Sequence, residues 1–480
     1  MKKNIFVFIL FQLFLLSVSC EKNKSIDIIY NSKKYQNKTE ITFSEMQEDL
    51  ETFIYLVETS YIGYDAALER GLDTNVSHQF VLEQFDNQKK IQIQDFADVL
   101  YDAFAGYIQD NHALINYFNN NFGKSFIKKG YLYFSDVYVQ KNEDKYFVCE
   151  SKLLEIKPGA QYNSDVEYLL LYPAKGKNVY RIGCVSEKDP DGLHLEFDNQ
   201  FYDVPIKMCQ EANGNEQFSY FVLETEKSIY VKLNRCTFDN DKELEALHQF
   251  AESYKSCMNK DFVIVDVRGN YGGDDTYFLH FLCGLYNDNK RDVFFGTGTR
   301  WLYSAANVKS MKTLLPIYAD VNNPEIKKML EELSEYEKQV QKSSQKIIVK
   351  NDSQKTPLVE PEFKGKLIFL TDKIAASAGE DGIAYGTALF GETDQIIQVG
   401  QNTSGAQLYG NLCQYVLENS GIQVRFSMTD FSAVPKLSHN FKGEGFGYFP
   451  DYWSSNEDMN DTIFAITGDK QMHEVLSNIF

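Results

Sequence analysis

The chain has 480 residues, 43% hydrophobic and 14% aromatic, which is enough apolar material for two or three domains with a sizeable core and too much for a disordered chain. Its formal net charge is -20 and no basic stripe interrupts the acidic balance, which excludes nucleic acid as a partner, because a phosphate backbone demands clustered Lys and Arg. A charge of this size suits a soluble protein that resists self-association.

Residues 1–20, MKKNIFVFILFQLFLLSVSC, carry two lysines, an apolar run, small residues and then Cys20. They are expected to be an export leader outside the fold. A cysteine directly after small residues points to a bacterial lipoprotein, acylated on Cys20 and held at a membrane surface of the cell envelope, or secreted if Cys20 stays unmodified. No later stretch reaches the roughly 20 apolar residues of a membrane span. Residues 21–41 are polar and read as a tether.

From 42 to 125 apolar residues recur at three- and four-residue steps, in FSEMQEDLETFIYLVETSY and again in IQIQDFADVLYDAFAGYIQDNH. This predicts an N-terminal helical region with Ser44 and Asp95 as N-caps. Residues 126–215 read as short strands split by Gly, Pro, Asn and Asp, a small β-rich middle domain. From 216 to 453 strands such as SIYVKLNRC, DFVIVDV, KLIFLT and QIIQVG alternate with helices such as DKELEALHQFAESYKSCM. That alternation predicts a layered α/β core. The charged stretch PEIKKMLEELSEYEKQVQKSSQK reads as a solvated helix within an insertion at about 303–358, and 454–480 as a C-terminal tail. Eight cysteines show no C-x-x-C pair or Cys/His cluster, so zinc is not implied.

Three stretches could carry chemistry. In KLIFLTDKIAASAGEDG, Ser377 stands where an apolar strand gives way to a helix, among residues small enough to admit a substrate backbone. A serine there sits at the positive end of the helix, with the N–H of Ala378 turned outward. The plain alternative is a helix N-cap whose capping box closes with Glu380. In DFVIVDVRGNYGG a buried strand ends at Arg268, and Gly272 and Gly273 could bring backbone N–H groups to a ligand, or make only a tight turn. In IQDNHALI, His112 could take a serine proton or be structural.

Together these segments resemble the tail-specific, or C-terminal processing, protease superfamily, which includes the tricorn proteases. VIVDVRGNYGG is similar to its D-x-R-x-N-x-G-G turn, KLIFLTDKIAASAGE to its strand and S-A-x-E segment, GQNTSGAQ (400–407) to its G-x-x-T-x-G loop, and GEGFGYFPDYW (443–453) to its E-G-x-G-x-x-P-D ending. SIYVKLNRCTFDND looks like the strand before its core helix. The processing branch pairs its serine with a lysine just after the T-x-G glycine, where this chain has Ala406. The tricorn-like branch uses a histidine in a D-x-H segment that IQDNHALI resembles, with Asn111 here in place of the usual serine.

The resemblance implies a crotonase-like (ClpP/crotonase) α/β core and an exported serine peptidase acting on peptide or protein substrates. Ser377 would be the nucleophile and His112 the base. Glu444 would orient His112 directly or through Asn111. Ala378 and Gly272 or Gly273 would hold the oxyanion, with Arg268 and Glu380 in support. No metal or cofactor is implied. Family members often carry a PDZ module near the middle domain, but GKNVYRIGCVSEKDPDGLHLEF lacks a clear carboxylate-binding loop, so a degenerate PDZ and an unrelated β domain both stay open. A catalytically lapsed peptide- or glycan-binding lipoprotein of the same fold is the alternative.

Overall fold

The computed structural model describes residues 26–117, 122–210, 220–286, 298–343, 345–351, 361–390, 395–432 and 440–480. The leader, with Cys20, lies outside the described residues. The longer helices of the N-terminal region are α1 (Phe43–Ser60), α2 (Thr74–Gln84) and α3 (Ile93–Phe104). The cap of α1 is Thr42 rather than Ser44, in a reciprocal capping box with Glu45. Thr42 and Gln92 end two short paired strands that run straight into α1 and α3. Asp95 therefore falls inside the first turn of α3, where its negative charge interacts favourably with the positive end of the helix dipole.

Strand β1 (Leu114–Tyr117) follows, two residues after His112. The strands β2 (Tyr131–Asn142), β3 (Lys145–Ser151), β4 (Val179–Ser186) and β5 (Leu193–Phe197) belong to one antiparallel sheet, with β2 between β3 and β4. The next elements are β6 (Tyr220–Glu224), β7 (Ser228–Leu233), α4 (Asp241–Glu252), β8 (Phe262–Asp266) and α5 (Thr276–Tyr286). Then come β9 (Arg300–Tyr303), α6 (Ala305–Tyr318), α7 (Pro324–Ser343) and β10 (Ile347–Lys350). The chain closes with β11 (Lys366–Thr371), α8 (Ala378–Phe390), β12 (Ile396–Gly400), β13 (Tyr409–Val416), β14 (Gln423–Asp430), β15 (Tyr452–Trp453), α9 (Met459–Thr467) and α10 (Lys470–Leu476).

The central sheet runs β6-β7-β8-β11-β12-β15, parallel except for the edge strand β6. Its strands are apolar on both faces, as a sheet covered on both sides requires. Val263, Val265 and Phe369 pack with Phe250, Phe278 and Ile383 of α4, α5 and α8. Ile264, Ile368 and Leu370 pack with Met459, Ile463, Met472 and Leu476 of α9 and α10. Residues 454–480, expected as a tail, thus supply the second helical layer.

A further sheet brings the N-terminal region to this core. In it β1 pairs antiparallel with β14, setting Leu114 opposite Arg425 and Asn116 opposite Gln423. On the other side, β9 and β10 of the insertion join the same sheet. Charge spacing in α7 suggested a solvated helix, but its Leu333 and Val340 are buried in a cluster shared with α1, α3 and β14. The insertion is part of the scaffold that carries the His112 segment.

Candidate active site

Strand β11 delivers Asp372, whose Oδ1 accepts the N–H groups of Ile374 and Ala375 and caps the turn into α8. Ser377 ends this turn at φ 53°, a left-handed conformation that costs a non-glycine residue about 1–2 kcal/mol. The capping box forms only by half. Glu380 Oε2 accepts the Ser377 N–H at 3.2 Å, but the Glu380 N–H goes to the Ser377 carbonyl at 2.7 Å and not to Oγ. Ser377 Oγ is therefore free of the capping duty that would make this serine an ordinary N-cap. The Ala378 N–H, first in α8, has no acceptor among the described residues.

The glycine turn lies against this serine. An added Cβ on Gly272 would stand 2.8 Å from Ser377 Cβ and 3.0 Å from Ala378 N. The Gly272 N–H is already given to Asn270 Oδ1 at 2.9 Å, which leaves Gly273 as the free donor of the pair among the described residues. Asn270 is fully buried and stitches the turn together, with Nδ2 on the Leu233 carbonyl and its own carbonyl on the Ala376 N–H. Arg268 faces away into a buried network. Its guanidinium grips both oxygens of Asp266, which also accepts from Tyr230 and Lys232. Although burial opposes it, this company holds the Asp266 carboxyl well below the usual carboxylate range.

Residues 401–408 form the loop that joins the two halves of the site, strung between two buried carboxylates. Glu380 accepts the N–H groups of Gly405 and Ala406 at 2.9 and 2.8 Å, together with the Thr403 hydroxyl. Glu444 accepts those of Gln407 and Leu408 at 2.9 and 2.6 Å, and through its other oxygen the backbone N–H of Asn111 at 2.9 Å. Burial pushes both carboxyls up, Glu444 well above its ordinary value, with Asp110 adding to the effect on Glu444. One clamp thus holds the Ser377 backbone and the other the segment before His112. A lysine does lie near the loop, although sequence motifs placed none there. Lys373 is buried and donates to the Thr403 and Gly445 carbonyls at 3.0 and 2.7 Å. Gln407 adds a strut, with Nε2 on the Ser377 carbonyl at 3.1 Å and on Asp381 Oδ1 at 2.8 Å.

The expected relay from Glu444 through the Asn111 side chain to the imidazole is absent. Asn111 Nδ2 instead donates to Ser404 O, Ser404 Oγ and Gly405 O at 2.9–3.1 Å. The carboxylate beside His112 is that of Asp110, whose Oδ1 accepts the His112 N–H at 2.8 Å and lies 3.6 Å from Nδ1. His112 itself is only 9% exposed. Among the described residues no hydrogen bond joins His112 to Ser377 Oγ, and no cluster of three His, Cys, Asp or Glu is placed to hold a metal. Sequence reasoning missed Asn270, Gln407 and Asp110. All three sit inside the recognised motifs, and Asp110 is the first letter of the D-x-H segment.

Residues 227–434 match the family model described as peptidase family S41. Through this segment the chain is similar to peptidase family S41. The S41 segment holds Ser377, Ala378, Gly272, Gly273, Arg268 and Glu380, whereas His112, Asn111 and Glu444 lie outside it. Among solved structures the chain is similar to mature CPAF, with 14% identity over 91% of this chain and 98% of that one, at a TM-score of 0.44. It is also similar to a putative peptidase from Parabacteroides merdae ATCC 43184, with 14% identity over 89% and 96% and a TM-score of 0.38. A third is the photosystem II D1 C-terminal processing protease, with 13% identity over 86% and 94% and a TM-score of 0.33. No curated protein sequence matches the chain.

Proposed function

We propose that this chain is an exported serine peptidase on a crotonase-like core, with Ser377 as nucleophile and His112 as base. The observation that carries the reading is the Ser377 turn. Its strained backbone leaves Oγ out of the capping box, beside the Ala378 N–H and a glycine turn whose Gly273 N–H, like that of Ala378, has no acceptor among the described residues. In the reaction Oγ attacks the peptide carbonyl as its proton passes to the imidazole. The carbonyl oxygen becomes an oxyanion held by the two N–H donors, each worth about 3 kcal/mol of barrier. Collapse breaks the C–N bond, the imidazolium returns its proton to the departing amine, and water then hydrolyses the acyl-serine by the same route.

The test is hydrolysis of a quenched-fluorescent peptide library by the chain lacking residues 1–20. Cleavage that Ser377→Ala abolishes supports the reading, and a folded parent that cleaves nothing refutes it. One observation favours a second reading, a lapsed peptide-binding protein: the free site has no hydrogen bond between His112 and Ser377 Oγ. Such bonds are often long before substrate arrives. Peptides that bind without being cleaved would favour that reading. We further propose an acylated Cys20 that anchors the protein to a membrane of the cell envelope, on the strength of the leader pattern alone. Mass analysis of the mature N-terminus tests this.

A further inference from the structure

Among the described residues, two buried polar atoms at the proposed base and its neighbour lack partners, and they are chemically complementary. Asp110 is fully buried, and its Oδ2 accepts no hydrogen bond. His112 Nδ1 is likewise buried without a partner. The ring nitrogen stands 3.6 Å from Asp110 Oδ1, so a small ring rotation brings an Nδ1–H onto the carboxylate. Leaving either atom unpaired costs about 1–3 kcal/mol, a force that favours this closure. Glu444, by contrast, has both oxygens occupied by the N–H groups of Asn111, Gln407 and Leu408.

We propose that Asp110, and not Glu444, is the positioning residue that orients His112 and stabilises the imidazolium formed during catalysis. The assignment rests on the reading of His112 as the base. With Nδ1–H directed at Asp110, Nε2 is the nitrogen left to take the Ser377 proton. The proton on Nδ1 stays there throughout, and Asp110 is not protonated. Glu444 serves as a backbone clamp that fixes where the Asp110–His112 turn sits. With both oxygens taken up by backbone N–H groups, Glu444 satisfies donors rather than holding the imidazolium.

The other ionisable groups around Asp110 are the Tyr61 and Tyr409 phenols, both pushed up by burial and by Asp110, and the Arg70 guanidinium, which acts on the same two phenols in the opposite sense. Arg70 is tied through Nε to the Tyr107 carbonyl at 2.6 Å. Among the described residues the carboxylate paired with the imidazole is that of Asp110, at 3.6 Å.

The experiment is histidine-labelled NMR on the chain lacking residues 1–20, which follows His112 without relying on turnover. The chain has seven histidines, so His112→Gln identifies the signal. In the parent the neutral ring is expected in the Nδ1–H tautomer. An Nε2–H tautomer overturns the proposal even if no variant folds. In Asp110→Asn the imidazole is expected to lose its proton about one pH unit lower, whereas in Glu444→Gln its titration stays within a few tenths of a unit of the parent. An unmoved titration in Asp110→Asn makes Asp110 a turn residue only, and a Glu444→Gln shift as large restores Glu444 to the role. On a cleavable peptide, Asp110→Asn is expected to lower kcat about a thousandfold with little change in KM, and to lower the acid limb of the pH profile in step with the NMR titration. If the parent cleaves nothing, the peptidase reading fails while the titration still decides the Asp110–His112 pairing.

Discussion

Glu380→Gln probes the joint that holds the nucleophile. In the parent, Glu380 Oε2 accepts Ser377 N and Ala406 N, and Oε1 accepts Gly405 N and the Thr403 hydroxyl. A glutamine has one acceptor oxygen, so whichever way the amide turns, its NH2 faces at least one backbone N–H that cannot accept. If the amide faces Oε2's partners, two N–H donors lose their acceptor; if it faces Oε1's, Gly405 N loses its acceptor. Hydrogen bonds to a charged group contribute about 1.5–3 kcal/mol each, so one or two losses amount to about 2–6 kcal/mol. Part of this is offset because the buried carboxylate is itself penalised, as its upward shift records. The expected net destabilisation is about 2–4 kcal/mol, read as a lower urea midpoint by intrinsic fluorescence. The folded variant is also expected to react with a serine-directed probe at least tenfold more slowly, because the Ser377 turn loses its anchor. A urea midpoint and a labelling rate both equal to the parent's refute the clamp.

Other perturbations test separate parts of the account. Asp266→Asn leaves Arg268 buried without its charge partner and is expected to cost about 3–5 kcal/mol by urea titration, an effect that a surface ion pair would not produce. Gly272→Ala puts a methyl 2.8 Å from both Ser377 Cβ and the Ala376 carbonyl, at φ +104°. It is expected to cut the rate of serine labelling at least a hundredfold, and an unchanged rate contradicts the packing of the glycine turn on the nucleophile. Burial and Asp275 push the Asp274 carboxyl from 3.8 up to about 6. A raised folded value favours the protonated form, so this contribution to stability is full below the unfolded value and is lost as pH rises through about 6. The neutral Asp274→Asn escapes that loss. A shift of about two units corresponds to about 3 kcal/mol, and partial exposure reduces it to about 1–3 kcal/mol. The melting temperature of the variant relative to the parent is expected to rise between pH 5 and pH 8, and a difference that does not change with pH contradicts the burial of this charge.

What could be read from the sequence was whatever side-chain type and local spacing encode. The Ser377 segment was legible because an apolar strand, a run of small residues and a glutamate three positions on occur within fifteen residues. Its capping-box alternative was equally legible, and only the folded backbone, with φ 53° at Ser377 and the Glu380 N–H on the Ser377 carbonyl, separates the two. The partners of Glu444 were not legible. They are three backbone N–H groups, one of them 333 residues away, and a backbone donor leaves no mark on residue type. The role of α7 was obscured because its many charges outweigh the few buried positions such as Leu333 and Val340. Residues 454–480 read as a tail because their apolar residues are sparse, yet Met459, Ile463, Met472 and Leu476 suffice to cover one face of the sheet.

The central claim is that Ser377 is an activated nucleophile served by His112. The most direct measurement is covalent labelling of the chain lacking residues 1–20 with a fluorophosphonate, with the modified peptide mapped by mass spectrometry, beside Ser377→Ala and His112→Ala. A single modification on Ser377 is expected, lost in Ser377→Ala and slowed at least a hundredfold in folded His112→Ala. A folded parent that remains unlabelled, or a label that survives Ser377→Ala, contradicts the claim.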